Sequence, residues 1–356
     1  DRIQTRKRVH LLWIIGFLTF FLSAALDNLT TTIVMVSLLR KLIRGRPERW
    51  LFVGVVVIAA NAGGAWSPIG DVTTTMLWIG NQISASGVIT GLFLPSLVCL
   101  LVPLIILSFR LRGEAPRPRP RAHLAEKHPP TTTVFERNLV LGLGLAALLF
   151  VPVFKTVTHL PPYMGILFGL GVLWVTTELI HRNKNAEDKH PLSVVGVLRK
   201  VDTPSVLFFL GILLAVSSLA TAGHLTQVAT ALRESLGHIY PITYAIGLLS
   251  AVVDNVPLVA GAMKMYPLVS EKMLAATAAE EISWMSQFVV DGNFWEMLAF
   301  GAGTGASTRS IGAAAGAASM GMGKISFTWC VKRVSLLAFL GYTAGAATYI
   351  GMLALR

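Results

Sequence analysis

Long apolar runs separated by short polar loops dominate this chain. Five of these runs are uninterrupted and have roughly the 17–25 residues that a helix needs to cross the hydrocarbon core of a membrane. The predicted spans cover residues 92–109, 138–154, 163–180, 203–219 and 334–353. Lipid tolerates only helices or closed barrels, and runs of this length do not fit barrel strands. We therefore predict an all-α polytopic membrane protein.

Four other apolar runs are broken by polar or small residues. They cover residues 9–43, 51–80, 239–268 and 294–320. Asp27-Asn28 breaks the first run and Asp254-Asn255 breaks the third, whereas glycine-rich stretches at residues 61–71 and 301–307 break the other two. An acidic side chain at membrane depth is unfavourable unless it is paired, protonated or facing water. Both Asp-Asn pairs are therefore predicted to be functional.

The distribution of Lys and Arg predicts the topology of the first half. Basic residues flank residues 9–43 on both sides, so both ends should be cytoplasmic, with Asp27-Asn28 at the tip of a re-entrant hairpin. Each side of the hairpin should reach about 22 Å at 1.5 Å per residue, short of a core of about 30 Å. Residues 51–80 then form a broken, discontinuous transmembrane helix. Residues 92–109 return to a basic, proline-rich cytoplasmic linker at residues 110–137.

The second half is predicted to repeat this arrangement in the opposite orientation. Three spans precede its hairpin, so the chain enters residues 239–268 from the outside, and the loop that follows is acidic rather than basic. The broken helix at residues 294–320 and the last span complete a repeat over residues 138–356, and the first repeat covers residues 1–109. Inverted-topology repeats of this kind build many secondary transporters. Since the first repeat lacks three matching spans, we expect the intact protein to be longer.

Composition and charge agree with a membrane protein. Of the 356 residues, 54% are hydrophobic and 13% charged, and the mean hydropathy is +0.66, which excludes an ordinary soluble globule. The net charge of +12 does not indicate a nucleic-acid partner, because Lys and Arg lie mainly in short loops. Cys99 and Cys330 give neither a disulfide framework nor a metal-ligand spacing. The predicted partners are the lipid bilayer and transported cations.

The broken runs supply oxygen ligands at membrane depth. Helix carbonyls, carboxylates, amides and hydroxyls can together replace the hydration shell of a small hard cation. The candidate ion-binding and proton-coupling residues are Asp27, Asn28, Thr30, Thr31, Asn61, Ser67, Asp71, Thr73, Ser250, Asp254, Asn255, Thr304 and Ser307. The cation should contact chiefly the two Asp-Asn pairs. The alternative is that each pair only caps a short helix and turns the chain.

Proton coupling follows if one carboxylate serves two ligands. Burial favours the neutral form of a carboxylic acid, and a bound cation favours the charged form. Sodium ions and protons should therefore compete for Asp27, Asp71 or Asp254, and such competition gives exchange. Two rival functions are a carrier for an anion such as a dicarboxylate, which would use half-helix N-termini, and an intramembrane aspartyl protease. Against the protease, Pro68 stands where a presenilin-like Gly-x-Gly-Asp pattern ending at Asp71 needs glycine.

These motifs resemble those of the sodium/proton antiporters of the NhaD type, within the ion transporter superfamily, which also includes dicarboxylate and arsenite carriers. The resemblance rests on LDNLTTT at residues 26–32, NAGGAWSPIGDVTTT at 61–75, DNVP at 254–257 and GTG at 303–305, and it covers essentially the whole chain. It implies exchange of Na⁺ or Li⁺ for H⁺ by a transporter that is not an enzyme and needs no cofactor. The corresponding site positions are Asp27, Asn28, Asp71, Asp254, Asn255 and Ser307. Relatives occur in bacterial inner membranes and plastid envelopes, and a homodimer is compatible with the resemblance.

One position departs from the family's pattern. Arg309 stands where the resemblance predicts an uncharged residue. Its guanidinium could act as a tethered cation that removes one sodium position, or it could extend to the membrane interface. The sequence favours the first alternative only slightly.

Overall fold

Helices make up every regular element of the described residues. The computed structural model describes residues 7–43, 45–111, 113, 132–158, 160–185, 189–199, 203–309 and 314–355. Within these ranges the chain forms no strand, which confirms the predicted all-α class. Most of the predicted linker 110–137 lies outside the described residues. The chain divides into two compact units, Asp1–Arg119 with Leu213–Arg356, and Pro120–Ile212.

The helices are numbered in chain order over the described residues. The larger unit begins with α1 (Arg8–Leu26), α2 (Asn28–Leu42), α3 (Arg46–Ala65), α4 (Val72–Ile79) and α5 (Ala85–Arg110). Next along the chain are α6 (Val134–Thr158), α7 (Pro162–Ile180), α8 (Val194–Leu198) and α9 (Thr203–Thr221). The larger unit continues with α10 (His224–Leu236), α11 (Ile239–Leu249), α12 (Asn255–Met265), α13 (Glu271–Ala275), α14 (Ala279–Met285), α15 (Asn293–Gly305), α16 (Ala314–Gly323), α17 (Phe327–Cys330) and α18 (Leu336–Ala354).

Two carboxylates define the breaks in the first half. α1 ends because Asp27 has a positive φ of 77°, and the Asp27 side chain then caps α2 by accepting a hydrogen bond from the Thr30 amide. Residues 66–71 separate α3 from α4, and Asp71 caps α4 by accepting from the Thr73 amide. A side-chain oxygen at a helix N-terminus satisfies an amide that has no partner within the helix. The polar residues that interrupt the apolar runs therefore also start the next helices.

α1 and α3 pack side by side and run in the same direction. At their N-terminal ends, Arg8 Nε lies 2.7 Å from Glu48 Oε1. Near their C-terminal ends, the Ser67 hydroxyl donates to the Ala24 carbonyl oxygen at 2.6 Å. Since α2 connects the end of α1 to the start of α3, α2 must run in the opposite direction.

A close helix approach occurs at equivalent places in both halves. In the first half, a Cβ on Gly63 would lie 2.1 Å from the Phe20 carbonyl oxygen, where α3 meets α1. In the second half, a Cβ on Gly305 would lie 2.0 Å from the Gly247 carbonyl oxygen, where α15 meets α11. Phe20 and Gly247 each lie seven residues before the Asp of their half. Both contacts require glycine, because any side chain would overlap a backbone oxygen.

Contacts between the two halves of the larger unit are reciprocal. α4 packs against α12, and α16 packs against α2. The two halves also meet where α3 contacts α15 and where α5 contacts α18. α4 and α16 are the short helices that follow the two glycine-rich breaks. Each therefore lies against the helix that follows the Asp-Asn pair of the opposite half.

The smaller unit contains the paired helices α6 and α7. Glu136 in the first turn of α6 lies 2.5 Å from Lys184 Nζ and 3.7 Å from His181 Nε2. Burial lowers the pKa of His181, which therefore favours the neutral ring at neutral pH. Both partners follow α7, so this cluster ties the end of α7 to the start of α6.

Several described helices are long and apolar enough to cross a membrane, which confirms the polytopic class. They are α1, α5, α6, α7 and Phe327–Ala354, and Val206–Thr221 together with α10, bent by 73°, could form a further span. Two elements differ from expectation. α1 has 19 residues and is long enough to cross a membrane, so it is longer than predicted for one side of the hairpin. α10 was not predicted, because its apolar residues alternate with polar ones and form no continuous run.

Candidate cation-binding site

A hydrogen-bonded row of buried side chains links the two halves of the larger unit. The Asn28 amide donates to Asp71 Oδ2 at 2.5 Å and to Asn61 Oδ1 at 3.1 Å. The Asn61 amide in turn donates to the Ser307 hydroxyl at 2.9 Å. All of these side chains are buried. Four predicted site residues from α2, α3, the α3–α4 break and the turn after α15 are thus brought together.

Asp71 is the acid of this row, and only 1% of its surface is exposed. Its Oδ1 accepts from the Thr73 amide at 2.9 Å and from the Thr73 hydroxyl at 2.7 Å. Its Oδ2 accepts from Asn28. These bonds offset part of the free energy of burying a carboxylate. A carboxylate has about four lone-pair positions, so Asp71 retains capacity for a further ligand.

Asp27 and Thr30 form the more accessible end of the site. Asp27 is partly buried, and its oxygens accept from the Thr30 amide at 2.9 Å and from the Thr30 hydroxyl at 2.6 Å. The next hydroxyl, on Thr31, is buried and has no hydrogen-bond partner among the described residues. Buried hydroxyls normally have a partner. Thr31 therefore offers an oxygen that a bound cation could use.

The second Asp-Asn pair is less tightly bonded than the first. Asp254 is half-buried and caps α12 through a long hydrogen bond from the Val256 amide, 3.3 Å. Asn255 is buried, but its side chain makes no hydrogen bond within the described part of the chain. Ser250 and Thr304 donate to helix carbonyl oxygens, Ser250 to Gly247 and Thr304 to Phe300. Their hydroxyl oxygens keep lone pairs for a ligand.

Asp71 lies within electrostatic reach of the other two predicted acids. Asp27 and Asp254 both interact electrostatically with Asp71. α4 packs against α12, and the Met263 side chain reaches Gly80, so the C-terminal ends of these helices lie together. Asp71 stands directly before α4 and Asp254 directly before α12, so the two acids lie at neighbouring N-terminal ends. Among the described residues, no three acidic, His or Cys side chains converge on one point.

Ser23 is a buried polar residue near the site that the sequence reasoning missed. Its hydroxyl donates to the Ala60 carbonyl oxygen at 2.6 Å and so joins α1 to α3. Ser23 lies four residues before Asp27, and Ser250 lies four residues before Asp254. The spacing within the two halves is the signal that could have identified Ser23.

The predicted Ser67 lies at the edge of the site rather than in the hydrogen-bonded row. Its hydroxyl donates to the Ala24 carbonyl oxygen, just before the Asp27 break. Ser67 thus fixes the end of α1 against the α3–α4 break. It positions the backbone around Asp27 rather than bonding to the acid itself.

Comparison with known proteins gives the family. A family model described as "Citrate transporter" matches residues 2–288. The Na(+)/H(+) antiporter NhaD of Vibrio cholerae is 30% identical over 96% of this chain and 70% of its own length. The chain belongs to the NhaD-type sodium/proton antiporter family. The resemblance predicted from the sequence motifs is confirmed.

Two plant proteins are also similar to this NhaD-type chain. Sodium/proton antiporter 1 of Arabidopsis thaliana is 52% identical over 99% of this chain and 57% of its own length. Sodium/proton antiporter 2 of the same plant is 48% identical over 99% of this chain and 79% of its own length. The NhaD-type chain thus spans little more than half the length of the first of these relatives.

Proposed function

We propose that this chain exchanges Na⁺ or Li⁺ for H⁺ across a membrane. The observation that carries the proposal is the buried row from Asp71 through Asn28 and Asn61 to Ser307. Carboxylate, amide and hydroxyl oxygens at membrane depth are suitable ligands for a small hard cation. The names of the relatives, which are sodium/proton antiporters, support the same activity.

The proposed coupling uses competition for the acids. A cation that binds at Asp71 favours the charged carboxylate, and its departure favours protonation of the buried group. Asp27, which is partly exposed, offers a route by which ions reach Asp71 from water. Asp254 contributes a third negative charge from the opposite half, so cation binding and proton release are expected to be linked at one site. This linkage supplies exchange without a resident cofactor.

The fold that we propose for this activity is an inverted-topology repeat with two re-entrant hairpins. α1 and α3 run in the same direction, so α2 brings the chain back toward the side where α1 began. In the second half, Thr243 faces Gly301 and Gly247 faces Gly305, so α11 and α15 also run in the same direction. α12 is therefore proposed to return in the same way as α2. The reciprocal contacts of α4 with α12 and of α16 with α2 support this symmetry.

An anion carrier fits the site less well than a cation carrier. The charged side chains that meet there, Asp27, Asp71 and Asp254, are all acidic. Each of these acids, when charged, would repel a dicarboxylate. Cations are therefore the proposed substrates, with the lipid bilayer as the other partner.

The membrane that we propose is a plastid envelope. The family resemblance implies a bacterial inner membrane or a plastid envelope, and the plant relatives are 52% and 48% identical, against 30% for the Vibrio cholerae protein. Immunolocalisation of the full-length protein would test this compartment, and signal in another membrane would contradict it.

The test of the exchange activity is an Asp71→Asn variant in reconstituted vesicles. A pH-sensitive dye reports proton movement when Na⁺ or Li⁺ is added. Because Asp71 is the buried acid at the centre of the row, we expect the variant to lose at least about 100-fold in rate, which corresponds to about 2.7 kcal/mol. Glu280→Gln removes an exposed acid and is the matched control, which should keep the intact rate. An Asp71→Asn protein that exchanges like the control would contradict the proposal.

A further inference from the structure

A groove on the larger unit combines apolar walls with one positive charge that forms no ion pair with the described residues. Its volume is about 520 Å³. The residues that line it are Leu248, Ala251, Val252, Thr308, Arg309, Val331, Ser335, Leu336 and Phe339. Val252, Leu336 and Phe339 are exposed, Leu336 to 63%. In a membrane-embedded helix bundle, such walls face lipid chains rather than water.

Arg309 supplies the charge of this groove. Its side chain is exposed, and within the described residues it forms no ion pair or hydrogen bond. A tethered cation for the second Asp-Asn pair would be expected to pair with Asp254, and this contact is absent from the described residues. A guanidinium at a lipid-facing surface is unfavourable unless an anion accompanies it. The described residues provide no anionic partner for Arg309, so we look to a bound ligand for that negative charge.

Ser335 supplies a second polar group of the groove lining. Its hydroxyl oxygen is buried and has no hydrogen-bond partner among the described residues. Residues Val331–Ser335 form a π-helical turn between α17 and α18. Such turns occur frequently at functional sites, because they reorient the side chains of the helix. Lys332 and Arg333 on this same turn are exposed and add positive charge beside the groove.

The sequence pattern places one end of this groove, at the start of the last span with Val331 and Ser335, on the cytoplasmic side of the bilayer. Lys332 and Arg333 precede the last span, and the positive-inside rule assigns that end to the cytoplasm. Phosphate groups of anionic lipids lie at this level, and their acyl chains extend alongside the adjacent helices. Arg309 and Ser335 supply polar lining of the groove, and Leu336 and Phe339 supply apolar lining. This combination matches an anionic lipid, which joins a phosphate group to acyl chains.

We propose that this groove binds an anionic phospholipid. The lipid phosphate accepts hydrogen bonds from the Arg309 guanidinium and the Ser335 hydroxyl, and one acyl chain lies against Leu336 and Phe339. Leu248, Ala251 and Val252 also line the groove and lie two to six residues before Asp254. A bound lipid therefore holds the segment that carries the acid of the second half, and anionic lipid should raise the transport rate.

The binding test uses native mass spectrometry of the purified, delipidated full chain. Phosphatidylglycerol or phosphatidylcholine is added, and the retained lipid is counted. We expect the intact protein to retain phosphatidylglycerol, and Arg309→Gln to bind it about tenfold more weakly, because a charge-assisted hydrogen bond contributes about 1.5–3 kcal/mol. Ser335→Ala should weaken binding less. Lys41→Gln removes an exposed basic residue outside the groove and should bind like the intact protein.

Three outcomes would overturn the proposal. The first is equal retention of phosphatidylglycerol by Arg309→Gln and the intact protein. The second is equal retention of the two lipids by the intact protein. The third is complete displacement of phosphatidylglycerol by inorganic phosphate, which would indicate a site for a free anion. Arg309→Lys keeps the charge and should retain intermediate binding, which guards against a variant that fails to fold.

A second experiment measures exchange in vesicles of phosphatidylcholine with and without phosphatidylglycerol. The added lipid should stimulate exchange by the intact protein and by Lys41→Gln, but not by Arg309→Gln. Stimulation of all three proteins alike would contradict the role of Arg309. The binding test does not depend on the proposed exchange activity, so a protein that binds the lipid without exchanging ions would leave this inference standing and remove the other.

Discussion

The two Asp-Asn pairs occupy equivalent places in the chain but have different surroundings. Asn28 donates two hydrogen bonds, to Asp71 and to Asn61, and its carboxylate partner is almost completely buried. Asn255 is buried without a side-chain hydrogen bond among the described residues. Asp71 stands in the break after α3, whereas no Asp or Glu follows Glu296 anywhere in the second half. The first site therefore combines two acids, and the second site has one.

This difference suggests a division of roles within one fold. A pre-formed row of hydrogen bonds holds the ligands of the first site in place, which lowers the entropy lost when a cation binds. In the second site, Asn255 forms no side-chain hydrogen bond with the described residues, and α12 is weakly capped, so this site can change its contacts at little cost in described hydrogen bonds. We therefore expect the first site to determine cation affinity and the second to respond to the bound ion.

The largest expected effect tests whether the two halves are structurally equivalent. Gly63→Ala and Gly305→Ala each place a Cβ about 2 Å from a backbone carbonyl oxygen. Such overlap should lower the free energy of unfolding by about 1–3 kcal/mol or more in both variants. Thermal unfolding in detergent measures the change. Gly261→Ala is the control, because its Cβ would meet nothing within 4 Å. Destabilisation of only one half would break the equivalence.

The next effect separates the two Asn residues. Asn28→Ala removes both hydrogen bonds and leaves the acceptors on Asp71 and Asn61 unpaired, at about 1–3 kcal/mol for each buried group. The KM for sodium should therefore rise about tenfold or more. Asn255→Ala removes no described hydrogen bond and should change the KM by less than about threefold. Equal effects in the two variants would show that the hydrogen-bonded row does not determine affinity.

A smaller effect tests the bond that joins the halves. Asn61→Ala and Ser307→Ala each remove one partner of the 2.9 Å hydrogen bond between them, and Asn61→Ala also removes the acceptor of the Asn28 amide. A double-mutant cycle on sodium binding should give a coupling free energy of about 0.5–1.5 kcal/mol, the usual net contribution of such a bond. Thr308→Ala, whose hydroxyl donates only to the Gly305 carbonyl oxygen, should show no coupling with Asn61→Ala. Additive effects for Asn61 and Ser307 would mean that the bond does not link the two sites.

The class of the protein could be predicted from the sequence because long apolar runs have few alternatives. The apolar runs and the loop charges predicted the helical polytopic class, and the Asp-Asn motifs predicted the family. The helix that contains the predicted span 92–109 is longer, Ala85–Arg110, because Ser84 rather than an apolar residue caps its start. α10 was missed because an amphipathic helix forms no continuous apolar run.

The details of the site depended on contacts between residues distant in sequence. Asn61 and Ser307 are separated by 246 positions, so no local pattern predicts that they bond. From the sequence, the two Asp-Asn pairs were predicted to be equivalent. Only the packing shows that Asn28 forms side-chain hydrogen bonds, whereas Asn255 forms none with the described residues. The assigned site residues and repeat boundaries stay predictions. Ser23 illustrates what internal symmetry can still add, since its spacing from Asp27 matches that of Ser250 from Asp254.

The central claim is that acids from both halves act in one exchange step. The most direct test measures sodium uptake and proton release together in vesicles that contain the Asp254→Asn variant. Since Asp254 interacts electrostatically with Asp71, the account predicts that both fluxes fall together by about tenfold or more. Sodium and proton fluxes equal to those of the intact protein would contradict it.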